Sequence, residues 1–245
     1  MRALVGVSRA LRMLAHIVRA LLLVQFRWRG YEPERRRRYI AWWSGKLLRI
    51  LGVRLEAIAP QLQGARLITA NHVSWLDIAA MHAVIPEARF VSKADIQHWP
   101  LVGALATAVD TLYIERASKR DALRVVHRVA EALARGEAVA VFPEGTTGAG
   151  HPLLPLHANL LQAAISTDTP LQPVVLRWHQ PGIPYSKDAP YIGQMTLMQS
   201  LWLILTAKDL AVKVEALAPM PTHGADRRQL AEALAGRISA ALPAP

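Results

Sequence analysis

The sequence predicts an α/β fold, a central mixed, largely parallel sheet flanked by helices, and three observations carry that expectation. A chain of 245 residues with mean hydropathy +0.18 has the size of one domain with a full core. From residue 53 onward, short apolar runs alternate with stretches of helical periodicity, the pattern that builds crossover-connected sheets. Residues 1–52 differ in composition and read as a pair of basic amphipathic helices, which sets the expected organisation as 1–52 ahead of an α/β domain at 53–245.

In the first helix Arg2, Arg9, Arg12, His16 and Arg19 fall within roughly a 100° arc, opposite Leu4, Val7, Leu11, Leu14, Val18, Leu21 and Leu22. A second helix follows Pro33. Arg35 to Arg38 stand at its start, and Trp42, Trp43, Lys46 and Arg49 accompany Leu47, Leu48, Ile50 and Leu51. Tryptophans flanked by cations suit the headgroup layer of a bilayer. A solvated basic face that packs its apolar side on the domain accounts for part of the same pattern. Arginines interrupt the first helix, and its longest uncharged piece, 20–26, is far below the roughly 20 residues a bilayer requires. The expectation is therefore monotopic association with a membrane, at the cytoplasmic face, without a secretory signal.

The α/β part follows in order. Residues 53–58 and 66–70 have strand character, separated by a turn signal from Pro60 to Gly64. Next come a helix at 74–84 ended by Pro86, a strand at 89–92, a helix at 100–109 and a strand at 111–115. Ser118 with Asp121 reads as a capping box for a helix whose apolar face is Ala122, Val125, Val126, Val129 and Leu133, and which Gly136 ends. An uncharged strand at 138–142, a helix near 157–166, strands at 171–178 and 211–217, and a terminal helix at 226–242 complete the series. The uncharged stretch 189–207 leaves room for a short helix, with Met195, Met198, Leu201, Trp202 and Leu205 on one face, fit equally for a core or for lipid.

A net charge of +11 and a pI near 10.7 call for a polyanionic partner. The cations lie on Leu- and Trp-rich amphipathic helices rather than beside a reader motif, so a membrane is expected and nucleic acid is not. The chain has no cysteine, which excludes disulfides, cysteine zinc sites and a covalent acyl-cysteine. No metal is expected: His151 and His157 have no supporting carboxylate cluster.

The chemistry concentrates in Asn71-His72-Val73-Ser74-Trp75-Leu76-Asp77. An imidazole can take a proton from a hydroxyl near neutral pH, and a carboxylate can fix its tautomer and stabilise its charged form. Residues five apart on one helix lie about 140° apart around the axis, so both side chains meet only if His72 precedes the helix. Ser74 and Asp77 read as a capping box, which places Asp77 in the first turn and His72 on the entering loop. Downstream, Phe142-Pro143-Glu144-Gly145-Thr146-Thr147 follows an apolar strand, at the strand end where α/β sheets carry their ligand loops. Between them stand Lys93-Ala94-Asp95, Pro100-Leu101-Val102-Gly103 and Tyr113-Ile114-Glu115-Arg116.

In this order and spacing, with Gln172-Pro173-Val174-Val175-Leu176 as a late strand, the blocks resemble the glycerolipid acyltransferases typified by 1-acylglycerol-3-phosphate acyltransferase, over residues 53–220. The resemblance implies transfer of a fatty acyl group from acyl-CoA or acyl carrier protein to the free hydroxyl of a lysophospholipid, most simply lysophosphatidic acid, with no cofactor. It implies His72 as general base and Asp77 as its orienting partner. Glu144, Gly145 and Thr146 would bind the glycerol phosphate, with Lys93 and Arg116 as cationic anchors. Asn71, Pro143 and Thr147 would support the loops, and Trp99, Pro100 and Gly103 would shape an acyl groove. Two departures matter. Family members commonly carry Arg where this chain has Thr147, which keeps lyso-ornithine lipid or another lysolipid open as acceptor, and Asp110 stands where glycine is usual. A non-catalytic lipid-binding protein of the same fold is the remaining alternative.

Overall fold

The computed structural model describes residues 2–59, 63–114 and 119–244. Two N-terminal helices, α1 (Arg2–Phe26) and α2 (Pro33–Leu51), lead into β1 (Arg54–Ile58) and β2 (Arg66–Ala70). Then follow α3 (Asp77–Val84), β3 (Arg89–Lys93), α4 (Val102–Ala108), β4 (Leu112–Ile114), α5 (Lys119–Ala134) and β5 (Ala138–Val141). The chain ends with α6 (Leu161–Ser166), β6 (Leu171–His179), α7 (Leu197–Thr206), β7 (Ala211–Ala216) and α8 (Arg227–Ala241).

The seven strands pair in the order β1-β7-β6-β2-β5-β3-β4. Every pairing is parallel except β6 with β7, so β1 and β7 run against the other five. The expected mixed, largely parallel sheet is present. β2 lies at its centre, with Ile68 level with Ala140 of β5 on one side and with Gln172 of β6 on the other. All residues of β2 and β5 are buried, as strands covered on both faces require. Alternate residues feed two cores. Ile68, Ala140, Val174, Leu176 and Trp178 pack toward Leu48, Leu51, Leu76, Met81 and Ile204 under α2, α3 and α7. Leu67, Val139, Val141 and Val175 pack toward Val129, Leu133, Leu161 and Leu234 under α5, α6 and α8.

Local signals explain most boundaries. Pro33 opens α2, and Gly52, in the left-handed region at φ 78°, closes it with its N–H on the carbonyls of Arg49 and Leu48. Asp226 caps α8 by accepting the amides of Arg228 and Gln229. α7 carries a complete capping box between Thr196 and Gln199, a start signal beyond the apolar face expected for this helix. One expectation needs correction: α3 begins at Asp77, not at Ser74. Half of the expected capping box is present, since Asp77 Oδ2 accepts the Ser74 amide along with that of Val73, but Ser74 Oγ receives the Leu76 amide at 3.4 Å rather than that of Asp77. The turn signal at Pro60 and the cap expected at Ser118 lie outside the described residues.

α1 packs along α2 and α7. The Arg9 guanidinium donates to the carbonyls of Leu205 at 2.9 Å and Ala207 at 3.0 Å, satisfying the end of α7. His82 in α3 is 5% exposed, donates its Nε2–H to the Ala88 carbonyl at 3.1 Å and meets Phe90 edge-on. Burial lowers its pKa to about 4 from 6.5, against the opposing pull of the Ala88 bond and of Glu87. The unfolded imidazole binds its proton first, so this contribution to stability is whole above pH 6.5 and is lost as pH falls to about 4. At about 1.4 kcal/mol per pH unit the loss totals roughly 3 kcal/mol. His82→Gln keeps a donor but cannot charge, so its urea midpoint is expected to fall less steeply than wild type between pH 6.5 and 4. Parallel curves would assign the acid sensitivity elsewhere.

Candidate active site

Parallel pairing brings the carboxyl ends of β2, β5, β3 and β6 to one edge of the sheet, and the chemistry-bearing loops leave from there. Asn71, directly after β2, is 1% exposed. Its side-chain amide donates to the Leu176 carbonyl at 2.8 Å and accepts the Leu176 N–H at 2.7 Å, replacing one rung of the sheet. The chain can therefore leave β2 at His72 without stranding the β6 backbone.

His72 lies on the loop before α3, as its spacing from Asp77 demands. Its Nδ1 is 2.8 Å from Asp77 Oδ2, and its side chain is 18% exposed while that of Asp77 is wholly buried. The carboxylate is saturated with donors. Oδ2 also accepts the amides of Val73 at 2.7 Å and Ser74 at 2.9 Å, and Oδ1 accepts the indole N–H of Trp178 at 2.6 Å. Against an acceptor-only carboxylate Nδ1 must carry the ring proton, so Nε2 keeps its lone pair. Phe142 stacks on the imidazole at 3.9 Å between centroids and 10° between planes, fixing the ring plane.

The turn after β5 holds the backbone of His72 from both sides. Glu144 Oε1 accepts the His72 N–H at 2.6 Å, and the Gly148 N–H donates to the His72 carbonyl at 2.7 Å. Glu144 Oε2 accepts the Leu154 amide at 3.0 Å, and the residue is 6% exposed. Burial raises the pKa of this carboxyl, with the two amide bonds opposing. Pro143 is buried, and its carbonyl accepts the His157 N–H at 2.8 Å. Gly145 closes the tight turn with its N–H on the Phe142 carbonyl at 3.0 Å. Its φ of 72° and the 3.2 Å between an added Cβ and His157 Cδ2 both exclude a larger residue without strain. Thr146 is exposed at the tip. The Thr147 hydroxyl donates to the Tyr191 carbonyl, whose residue also bonds Val73 through its N–H at 3.0 Å, so a third loop locks onto the first two.

Lys93 ends β3 at the same sheet edge with an exposed side chain. Arg116, expected as the second cationic anchor, lies outside the described residues. Trp178 and Phe142 are the site residues that sequence reasoning missed as such. A period-2 reading of β6 places Trp178 on the face shared with Val174 and Leu176, and a buried indole N–H needs an acceptor. That its acceptor is Asp77 follows only from β6 lying beside β2.

An apolar cavity of about 310 Å³ opens between α1, α2, α3, β3 and α4, with Ile17, Trp43, Trp75, Ile78, Phe90 and Leu105 among its walls. It adjoins the reactive loop directly, since Trp75 and Leu76 line it. Phe90, another wall, stacks on Phe142 at 5.8 Å and so leads to the imidazole. Pro100, expected to shape such a groove, lines it. Gly103 sits where an added Cβ would lie 2.1 Å from the Gln97 carbonyl, so the approach to α4 tolerates no side chain.

Residues 52–177 match the protein family described as Acyltransferase. The chain is 36% identical over 196 residues to the lyso-ornithine lipid O-acyltransferase of Pseudomonas aeruginosa, which spans 80% of this chain and 75% of that protein. It is 37% identical over 187 residues to the 1-acyl-sn-glycerol-3-phosphate acyltransferase of Neisseria gonorrhoeae, spanning 76% and 72%. The crystal structure of the 1-acyl-sn-glycerophosphate acyltransferase of Thermotoga maritima superposes with a TM-score of 0.72 over 99% of this chain and 96% of that one. At 18% identity, that is a likeness of fold.

Proposed function

The chain belongs to the acyltransferase family, and from that premise we propose that it esterifies the free hydroxyl of a lysolipid with a fatty acyl group drawn from acyl-CoA or acyl carrier protein. The observation that carries the mechanism is the bond between His72 Nδ1 and a saturated, buried Asp77. Nε2 then takes the acceptor proton as the hydroxyl oxygen attacks the thioester carbonyl. Collapse of the tetrahedral intermediate breaks the C–S bond, the departing sulfur taking that proton back from Nε2 to leave as the thiol. The apolar cavity beside Trp75 receives the acyl chain. Thr146 and Lys93 meet the acceptor headgroup, joined by Arg116. Glu144 serves by shaping the turn, since both of its oxygens accept backbone amides.

The acceptor is lysophosphatidic acid or lyso-ornithine lipid, the two classes that the names of the relatives carry. One observation favours a headgroup other than a bare phosphomonoester: Thr147, where the family commonly places an arginine, turns its hydroxyl to the Tyr191 carbonyl. No helix among the described residues is long and apolar enough to cross a membrane. The exposed apolar residues of α1, with Arg2, Arg12 and Arg19 beside them, suit monotopic attachment at the cytoplasmic face. Radiolabelled acyl transfer across a panel of lysolipids tests the reading. At least one of the two acceptors is expected to be esterified, with lyso-ornithine lipid preferred if Thr147 decides. Binding of lysolipid without turnover on any of them would leave a non-catalytic lipid-binding protein.

A further inference from the structure

We propose that α7 is a further lipid-contacting element, seated with α1 on an anionic bilayer and tied through Ser200 to the loop that carries His72. The inference rests on the membrane reading above and extends it to a part of the α/β domain far along the chain. Residues 189–207 contain no charged residue. In α7, Met198 is 71% exposed and Trp202 46% exposed, while Ser200, Ile204 and Leu205 face inward. Trp202 does not stand alone. Its ring lies 3.4 Å from where a Cβ on Gly6 of α1 would be, and Thr206 Cγ2 lies 2.9 Å from the same point, so the missing side chain lets the two helices touch. On either side of Gly6, Leu4, Val5 and Val7 are 76%, 45% and 49% exposed. Exposed apolar side chains of α1 thus border its contact with α7, and Arg9 fixes the junction by bonding the carbonyls of Leu205 and Ala207 at the end of α7.

Charge selects the occupant. Arg2 and Arg12 are exposed on α1, the chain carries no acidic residue before Glu32, and after α7 exposed Lys208 is followed by exposed Asp209. Apolar residues and a tryptophan beside the excess of cations on α1 suit the boundary between headgroups and acyl chains of anionic lipid. Behind the surface, the Ser200 hydroxyl accepts the Trp75 indole N–H at 3.1 Å. Trp75 is three residues after His72 and forms a wall of the acyl cavity, so the seat of α7 sets the position of that wall.

The full chain is sedimented with phosphatidylcholine vesicles with and without phosphatidylglycerol. Wild type is expected to bind the anionic vesicles, and Met198→Glu with Trp202→Glu to bind them about tenfold or more weakly. Met198→Glu alone, which leaves the contact with Gly6 intact, is expected to weaken binding in the same direction. Equal binding by wild type and both variants overturns the role of α7. A wild type that sediments with neither vesicle overturns the membrane reading itself. Ser200→Ala is expected to bind vesicles as wild type does and to turn over embedded lysolipid more slowly. An unchanged rate removes the link to the loop.

Discussion

His72→Ala is expected to lower the turnover of acyl transfer by about two to four powers of ten, the usual contribution of a positioned general base, while the Tm stays close to that of wild type. The two halves of that expectation have separate origins. Turnover falls because, in the proposed mechanism, the attacking hydroxyl loses its proton acceptor. Stability holds because the loop is fastened through the backbone of His72, whose N–H meets Glu144 and whose carbonyl meets Gly148, and the substitution leaves both bonds in place. Initial rates with a saturating acyl donor, read beside a thermal melt, check the pair. A variant that turns over near normally would rule out His72 as the base.

Asp77→Ala is expected to damage both quantities. Removing the carboxylate strands the amides of Val73 and Ser74 and the indole N–H of Trp178 in a place closed to water, and leaves the partly exposed imidazole without its partner. A buried donor left without an acceptor costs about 1–3 kcal/mol, so several together approach the roughly 5–15 kcal/mol by which a domain is stable. The variant is expected to melt far below wild type and to show no measurable transfer. Asp77→Asn preserves shape and one good acceptor. It is expected to fold with a smaller loss of stability and still to lose most of its turnover, since an amide cannot hold the imidazole proton on Nδ1 as a carboxylate does. An Asp77→Asn enzyme as fast as wild type would show that orientation of the ring does not limit the reaction.

Features that depend on neighbours in sequence were legible, and features that depend on neighbours in space were not. The run at Ala138–Val141 announced a buried strand because nothing in it could face water, and the position of His72 before the helix followed from angular arithmetic. The bond from the Ser74 amide to Asp77 was legible as half of a capping box, but not the start of α3 at Asp77 or the second amide, of Val73, that the same carboxylate takes. Nothing local distinguishes Trp178 from any other core tryptophan. Its part at the site depends on β6 returning beside β2, an arrangement fixed by crossovers of many residues. The antiparallel entry of β7 between β6 and β1 is equally a matter of tertiary pairing. Glu144 shows a different difficulty: the family resemblance implies contact with substrate, whereas burial and two amide partners make it a fastening between loops.

The way His72 is gripped has a bearing on engineering. Its peptide groups are clasped by Glu144 and Gly148, so segments 71–77 and 142–154 form a single tool with two handles. A chimera that imports one of them from a distant relative would inherit a blade without its haft, and only joint transplantation would carry the reaction to a new scaffold.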